Sequence, residues 1–150
     1  MPTAVIDTCV MIDMLMASRP RHAEAMKLRL EMARVNATAR LPMFAIFEIN
    51  HATRQQDSLS RGIAGPFPNI DGVAGIPVDF VPIDEAFIRR YFDVNLPELR
   101  AGDLVFAALA KGDALPLVTE DAALAEGARA AGITVLSTVE YRKELERGAI

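Results

Sequence analysis

Short apolar segments alternate with longer helix-forming segments along most of the chain, and this alternation restricts the fold more than any other feature. Residues 3–6 and 115–118 are apolar runs of strand length, and a helical pattern follows each of them. Strands that alternate with helices favour parallel pairing, because each helix carries the chain back to where the next strand begins. We therefore predict an α/β fold of three layers, in which a central parallel sheet of about four to five strands lies between helices.

The same patterns give bounds for the individual elements. The predicted strands are residues 3–6, 38–41, 115–118 and 134–136, and the predicted helices are residues 8–17, 20–35, 43–56, 84–93, 103–111, 121–131 and 138–147. Residues 57–82 hold four glycines and four prolines and are predicted to form a long loop, with one extended piece at 78–81. No shift in composition marks a boundary, so residues 1–150 are predicted to form a single domain.

The composition excludes several classes of protein. Of the 150 residues, 51% are hydrophobic, which is typical of a globular chain and not of a disordered one. Cys9 is the only cysteine, so no disulfide forms within the chain, and a reducing cytoplasm is the expected location. The longest apolar runs are about seven residues, far below the roughly 20 that a membrane-spanning helix needs, and no signal peptide is recognised.

Charge is distributed unevenly along the chain, although the net charge is only −4. Residues 18–40 hold six basic and two acidic residues, whereas residues 62–150 hold eight basic and fourteen acidic residues. A basic patch beside an acidic site would suit a phosphate-bearing substrate that is attracted to bound metal. A solvated helix face with no binding role is the alternative interpretation of the basic segment.

Four carboxylates lie at or near the ends of predicted strands, where sites in parallel α/β sheets are found. Asp7 follows the first strand, Glu48 lies in the helix after the second, Asp103 begins the helix before the third, and Asp121 follows the third. The three aspartates could simply cap helices. Glu48 lies among apolar residues, where a buried carboxylate would need a partner or a metal ion. Clustered carboxylates repel one another unless a cation compensates, and an all-oxygen ligand set favours Mg²⁺ or Mn²⁺ over zinc.

Four segments of the chain carry a resemblance to a known family. They are "AVIDTCVMIDML", "FAIFEINHATR", "AGDLVFAALAK" and "PLVTEDAAL". In this order and spacing they resemble the four acidic motifs of the PIN-domain family, and most closely those of the VapC-type toxin ribonucleases of toxin–antitoxin modules. The resemblance covers nearly the whole chain. It implies a PIN-like fold, cleavage of RNA with Mg²⁺ or Mn²⁺, a homodimer and a cognate antitoxin protein.

The resemblance also implies roles for the four acids. Asp7 and Asp103 match the main metal ligands, and Glu48 and Asp121 match acidic positions that hold the metal directly or through water. The implied chemistry is attack on phosphorus by a water molecule that the metal activates, which leaves a 5′-phosphate and a 3′-hydroxyl. Asp13, which lies six residues after Asp7, is instead predicted to be a surface or helix-stabilising acid.

Two hydroxyls, a cysteine and two arginines complete the set of candidates. Thr8 and Thr119 match family positions that orient the carboxylates. Cys9 stands where family members usually have asparagine; no activating base is visible near it in sequence, so we predict a buried, inert cysteine. Arg54 and Arg61 follow the second acidic motif closely and are candidates for contact with RNA phosphate, with a solvated or salt-bridging role as the alternative.

The sequence leaves two other functions open. One is a non-catalytic PIN-like module that binds RNA or a partner protein without cleaving it, which Cys9 and the acidic C-terminal half of the chain motivate. The other is a metal-dependent nuclease or phosphatase that acts on DNA or on small phosphoesters. Comparison of RNA, single-stranded DNA and a small phosphodiester as substrates distinguishes the latter from a ribonuclease.

Overall fold

The computed structural model describes residues 1–54, 75–93 and 95–150, apart from the side chains at 53 and 54. Within these residues the strands are β1 (Thr3–Ile6), β2 (Thr38–Pro42), β3 (Val78–Val81), β4 (Leu117–Val118) and β5 (Val135–Leu136). The helices are α1 (Thr8–Leu15), α2 (His22–Val35), α3 (Ala45–Arg54), α4 (Glu85–Tyr91), α5 (Ala101–Gly112), α6 (Ala122–Ala130) and α7 (Thr138–Arg147). None of the described helices is long and apolar enough to cross a membrane. The predicted α/β fold is confirmed, and its five strands fall within the predicted range.

The sheet has the strand order β3-β2-β1-β4-β5, and every neighbouring pair of strands is parallel. The strand order reverses at β1. The chain first adds β2 and β3 on one side of β1 and then adds β4 and β5 on the other side. Ile6 pairs in register with Val118, so β1 and β4 end level with each other. In parallel α/β sheets a switch of this kind opens a crevice beyond the carboxyl ends of the strands. The residues that follow β1 and β4, Asp7 and Thr119, therefore meet at this crevice.

The helices form two layers, one on each face of the sheet. α2 packs against α1 and α7, whereas α5 packs against α4 and α6. The connection from β1 to β2 and the connection from β3 to β4 run in opposite directions across the sheet, so right-handed crossovers place their helices on opposite faces. Because α2 and α5 each lead directly into the amino end of a strand, both helices begin at the edge where the strands end. Each layer thus presents a helix N-terminus near the crevice.

The core lies between the sheet and the helices. Val5 and Ile6 of β1 and Leu117 and Val118 of β4 are fully buried, as expected for parallel strands that are covered on both faces. Full burial of one such side chain contributes about 1.5–3 kcal/mol of hydrophobic stabilisation. Replacement of Ile6 by alanine is expected to cost about 2–5 kcal/mol, and it would loosen the strand end that carries Asp7.

The element bounds differ from the sequence prediction by a few residues. Pro20, which we predicted in the first turn of α2, precedes that helix. Asp84 and Asp121 are N-caps and not the first helical residues, because each side chain accepts a hydrogen bond from the backbone N–H three residues later. The predicted extended piece at 78–81 is confirmed as β3. The predicted loop at 57–82 falls largely on residues 55–74, which lie outside the described residues.

Asp13 corrects one interpretation of the sequence. We predicted a surface or helix-stabilising acid, and the surface alternative is wrong, because only 2% of this residue is exposed. Arg19 Nε donates a hydrogen bond to Asp13 Oδ1 at 2.8 Å, and His22 Nδ1 lies 2.7 Å from the Asp13 carbonyl oxygen. The Arg19 contact compensates part of the buried charge, although Asp13 Oδ2 is buried without a hydrogen-bond partner among the described residues. Both contacts tie the segment between α1 and α2 back to α1.

Candidate acidic site

Asp7 lies directly after β1 and occupies the N-cap position of α1 without capping it. Its side chain makes no capping hydrogen bond to the helix. Instead, Asp7 Oδ2 accepts a hydrogen bond from Thr119 Oγ1 at 2.7 Å and another from Cys9 Sγ at 3.0 Å. Only 7% of Asp7 is exposed. The capping explanation therefore fails for Asp7, whose carboxylate is held by two side chains beyond the strand ends.

The surroundings of Asp7 disfavour its charged form. Burial raises the pKa of Asp7 above its ordinary value of 3.8, because desolvation penalises a carboxylate. The hydrogen bonds from Cys9 and Thr119 act in the opposite direction, and the negative charges of Asp103 and Asp121 raise the pKa further. A buried carboxylate that is oriented by neutral donors and repelled by neighbouring acids would be stabilised by a cation.

Thr119 connects two of the acids. Its hydroxyl donates to Asp7 Oδ2 and accepts a hydrogen bond from the backbone N–H of Asp121 at 3.0 Å. Asp121 is the N-cap of α6, and its Oδ1 accepts from the backbone N–H of Leu124 at 2.9 Å. The capping explanation therefore holds for Asp121, although its charge also acts on Asp7.

Glu48 lies in the first turn of α3 and is joined to the residue that follows Asp7. Thr8 is buried, and its Oγ1 donates a hydrogen bond to Glu48 Oε1 at 3.0 Å. The sequence argument for Glu48 assumed a buried carboxylate, and that assumption is wrong, because the residue is exposed. Partial desolvation by the surrounding protein nevertheless raises the pKa of Glu48, and the charges of Asp7 and Asp103 add to the shift.

Asp103 lies in the first turn of α5 and is only partly buried. Its Oδ2 is 3.5 Å from Nε of Arg100, the N-cap residue of α5. The charge of Asp103 raises the pKa of both Asp7 and Glu48. Asp103 is therefore near enough to these two acids for its charge to act on them, although its direct contact is with an arginine.

Cys9 acts as a hydrogen-bond donor in this site. Its Sγ donates to Asp7 Oδ2, and the backbone of Glu120 and the side chain of Thr119 also interact with the thiol. Burial raises the pKa of Cys9 above the ordinary range of a thiol, and the charge of Asp7 raises it further. A thiol that stays protonated is a poor nucleophile.

The structure places the four acids near enough for their charges to interact, but not in one coordination sphere. Hydrogen bonds link Thr119 with Asp7 and Thr8 with Glu48, and electrostatic effects couple all four acids. Among the residues that the structure describes, no group of three His, Cys, Asp or Glu side chains is placed to hold a metal ion. The atoms that could bind an ion are carboxylate and hydroxyl oxygens, and such oxygens suit a hard divalent cation. The predicted RNA contacts of Arg54 and Arg61 lie outside the described side chains.

Two charged residues beside the site, Glu120 and Arg100, were missed by sequence reasoning, and Arg21 was predicted only as part of the basic segment 18–40. Glu120 lies between Thr119 and Asp121; its Oε1 accepts from the backbone N–H of Thr138 at 2.8 Å, and its Oε2 is 3.6 Å from Arg21 Nε. Arg100 lies three residues before Asp103, and this spacing could have marked it as a partner of that acid. Arg21 belongs to the basic segment 18–40 that the sequence marked as a possible phosphate-binding patch, but its contact with Glu120 could not be predicted, because it depends on how α2 packs.

The fold and the crevice define an α/β protein with an acidic site beyond the carboxyl ends of a parallel sheet. The model of the PIN domain family matches residues 4–130, a range that includes all four acids. The chain belongs to the PIN domain family, whose members are in general nucleases that use divalent metal ions. A comparison with curated proteins finds no significant match.

Proposed function

We propose that this chain is an endoribonuclease that hydrolyses RNA phosphodiester bonds with Mg²⁺ or Mn²⁺. We further propose that it is the VapC-like toxin of a toxin–antitoxin pair, that it acts in the cytoplasm as a homodimer, and that residues 1–150 form a single PIN-like domain. The observation that carries the nuclease proposal is Asp7. Its buried carboxylate is oriented by two neutral donors while neighbouring acids raise its pKa, which is an unfavourable arrangement without a cation.

The proposed roles follow from the contacts in the crevice. Asp7 and Asp103 are the main metal ligands, and Glu48 and Asp121 hold the ion directly or through water. Because both hydrogen bonds to Asp7 end on Oδ2, Oδ1 is the oxygen that we assign to the ion. When bound, the ion neutralises the acids and lowers the pKa of a water molecule.

Two threonines keep the acids in place. Thr119 orients Asp7 and the backbone of Asp121, and Thr8 orients Glu48. Hydrogen bonds of this kind fix the direction of a ligating carboxylate before the ion arrives. In the reaction itself, the oxygen of water forms a bond to phosphorus, the bond from phosphorus to the 3′-oxygen breaks, and that oxygen takes up a proton. The products are a 5′-phosphate and a 3′-hydroxyl.

The present contacts of Asp103 and Asp121 leave carboxylate oxygens available to an ion. The pair between Asp103 and Arg100 is 3.5 Å long, and 82% of the arginine side chain is exposed. Exposed ion pairs contribute only about 0–1 kcal/mol. Asp121 uses Oδ1 to cap α6, which leaves its second oxygen for a ligand. Binding of the ion therefore does not require the loss of a strong interaction.

One observation favours a second candidate, a PIN-like module that binds RNA or a partner protein without cleavage. Within the described residues no three candidate ligands are placed to hold an ion. A chain whose acids remained apart would retain the crevice without the chemistry. Action on DNA or on other phosphoesters is the third candidate, since carboxylate-bound metal ions serve phosphodiester cleavage in general.

The test is a cleavage assay with purified protein. Wild type and the Asp7→Asn variant are incubated with a pool of structured RNAs, single-stranded DNA and a small phosphodiester, in Mg²⁺, Mn²⁺ or EDTA. The matched control is Glu85→Gln, because Glu85 is an exposed acid of α4 that pairs with Arg89 and is not among the groups that raise the pKa of Asp7 or Glu48. RNA cleavage that EDTA and Asp7→Asn abolish, and that Glu85→Gln retains, is expected. Metal-independent cleavage, or full activity of Asp7→Asn, would contradict the proposal.

A further inference from the structure

An acidic crevice needs positive charge at its rim if a polyanion is to enter it. The four acids and Glu120 together carry five formal negative charges, whereas RNA brings a negative charge with every nucleotide. A divalent ion compensates only part of this repulsion. Fixed cations beside the crevice would therefore increase the affinity of this chain for RNA, and two arginines have the required position.

Arg21 approaches the crevice from the layer of α1, α2 and α7. It is the residue directly before α2, and its Nε lies 3.6 Å from Glu120 Oε2. Glu120 is fixed by the backbone N–H of Thr138 and stands next to Asp121. Of the Arg21 side chain, 57% is exposed, compared with 19% of the Glu120 side chain. The guanidinium therefore lies on the solvent side of the segment that joins β4 to α6.

Arg100 approaches the crevice from the opposite layer. It precedes α5, and its Nε lies 3.5 Å from Asp103 Oδ2. Its side chain is the more exposed of the two arginines. Arg21 and Arg100 thus occupy equivalent positions on the two sides of the sheet, each at a helix start and each in loose contact with an acid of the crevice.

The ion pairs of Arg21 and Arg100 are longer and more exposed than the ion pair of Arg40 with Asp113, which is part of the packed structure. Arg40 donates from Nε to Asp113 Oδ2 at 2.8 Å, and only 23% of its side chain is exposed. The distances of 3.5 and 3.6 Å at Arg100 and Arg21 exceed those of good hydrogen bonds. Exchange of such a contact for a phosphate costs little, and a guanidinium binds phosphate with two parallel N–H donors.

We propose that Arg21 and Arg100 bind phosphate groups of the RNA strand on opposite sides of the acidic crevice. This inference rests on the proposed function for the identity of the nucleic acid. It does not depend on catalysis, because the contacts are made to the phosphate backbone. The chemistry also predicts that DNA phosphates are bound in the same way.

The test measures RNA binding in EDTA, so that metal-dependent cleavage does not interfere. A fluorescent single-stranded RNA is titrated with wild type, Arg21→Gln, Arg100→Gln and the double variant over a series of salt concentrations. For single strands, the slope of log affinity against log salt changes by about 0.7 for each phosphate contact. Each single variant is expected to reduce the slope by about 0.7 and the double variant by about 1.4. Arg89→Gln is the control, since Arg89 is an exposed arginine of α4 paired with Glu85.

A second variant separates phosphate binding from a structural role of Arg21. Glu120→Gln weakens the pair with Arg21, and its amide oxygen can still accept from the N–H of Thr138. It is expected to bind RNA more tightly than wild type, and this gain should be smaller in the Arg21→Gln background. A merely structural pair would give the same gain with and without Arg21. A same-sequence DNA strand should show the same slope changes if phosphate is the shared ligand.

The outcomes distinguish this inference from the proposed function. Three results would each overturn the inference. They are an unchanged slope in the double variant, a loss of slope in Arg89→Gln equal to that in Arg21→Gln and Arg100→Gln, and no RNA binding by wild type. Cleavage of RNA together with unchanged slopes overturns the inference alone. Reduced slopes in the variants without cleavage in any metal support the inference and overturn the nuclease proposal.

Discussion

The two ends of α5 carry aspartates in opposite electrostatic situations. Asp113 follows the last turn and accepts hydrogen bonds from Arg40 Nε at 2.8 Å and from the Tyr91 hydroxyl at 2.9 Å. Arg90 adds a further contact at 3.1 Å, so this acid is surrounded by donors and positive charge. Asp103, in the first turn, lies near other acids and has one loose arginine contact.

The difference shows how a structural acid can be recognised apart from a candidate functional acid. Charge around Asp113 is balanced, and the balance joins α5 to β2 and α4. Charge around Asp103 is unbalanced, and the imbalance raises the pKa of Asp7 and Glu48. A chain maintains an unbalanced cluster of acids at a cost in stability, and such clusters are typical of sites that bind a cation.

The largest expected effect is on cleavage, at the two ends of α5. Asp103→Asn is expected to lower RNA cleavage in Mg²⁺ by about 100-fold or more, because loss of a ligand should exceed the roughly 10–100-fold effects of residues that only support ligands. Asp113→Asn is expected to leave cleavage close to wild type at a temperature where it is folded. Initial rates on one RNA measure both. Equal losses in the two variants would show that the two aspartates do not differ in role.

The same two variants should differ in the opposite sense in stability: Asp113→Asn should be destabilised, and Asp103→Asn should not. Asp113→Asn weakens charged hydrogen bonds at a side chain that is only 10% exposed, and the expected cost is about 1.5–3 kcal/mol. Asp103→Asn removes a charge that repels Asp7 and Glu48, so its free energy of unfolding in EDTA should match or exceed that of wild type. Urea unfolding measures this difference. A destabilised Asp103→Asn would argue that Asp103 is structural.

The next effect concerns the hydroxyl that orients Asp7. Thr119→Val removes the 2.7 Å hydrogen bond to Oδ2 and is expected to lower cleavage by about 10–100-fold. Thr119→Ser keeps the hydroxyl and should retain most of the activity. Thr138→Val is a matched control, because Thr138 is a buried threonine whose hydroxyl has no hydrogen-bond partner in the described structure. Cleavage by Thr119→Val at the wild-type rate would remove Thr119 from the proposed site.

The sequence could predict the parts of the site that depend only on strand ends. Asp7 and Thr119 follow parallel strands that end level with each other, so the fold class was sufficient to bring them together. Glu48 was predicted in the correct helix, but the prediction that it is buried was wrong. The apolar residues around it in sequence do not determine how α3 is rotated about its axis. Arg21 was included only as one member of the basic segment 18–40, and its contact with Glu120 could not be predicted, because it depends on packing between elements that are distant in sequence.

A smaller effect is expected from pH. The pKa values of Asp7 and Glu48 are raised above 3.8 and 4.5, respectively. A carboxyl group with a higher pKa in the folded state binds protons more readily when folded. Its contribution to stability is therefore complete below the ordinary pKa and is lost as the pH rises through the raised pKa.

Stability curves for wild type and Asp7→Asn in EDTA test this sign. Between about pH 4 and pH 7, the free energy of unfolding of wild type should fall relative to that of Asp7→Asn. Addition of Mn²⁺ at the upper pH should raise the stability of wild type more than that of the variant, because an ion that binds only the folded state stabilises it. Parallel curves, or a relative rise of wild type with pH, would mean that Asp7 carries no unfavourable charge.

The smallest expected effect belongs to Cys9, the second donor to Asp7. A thiol is a weak hydrogen-bond donor, so Cys9→Ala should lower cleavage only several-fold and change the free energy of unfolding by less than about 1 kcal/mol. Cys9→Ser keeps a donor at this position and should retain wild-type cleavage. Cys9→Asn supplies the amide that the family resemblance implies at this position and should cleave at least as fast as wild type. If Cys9→Ala cleaves as fast as wild type, Thr119 alone is enough to orient Asp7. The difference between the crevice and the surroundings of Asp113 would then lie in the balance of charge and not in the number of hydrogen-bond donors.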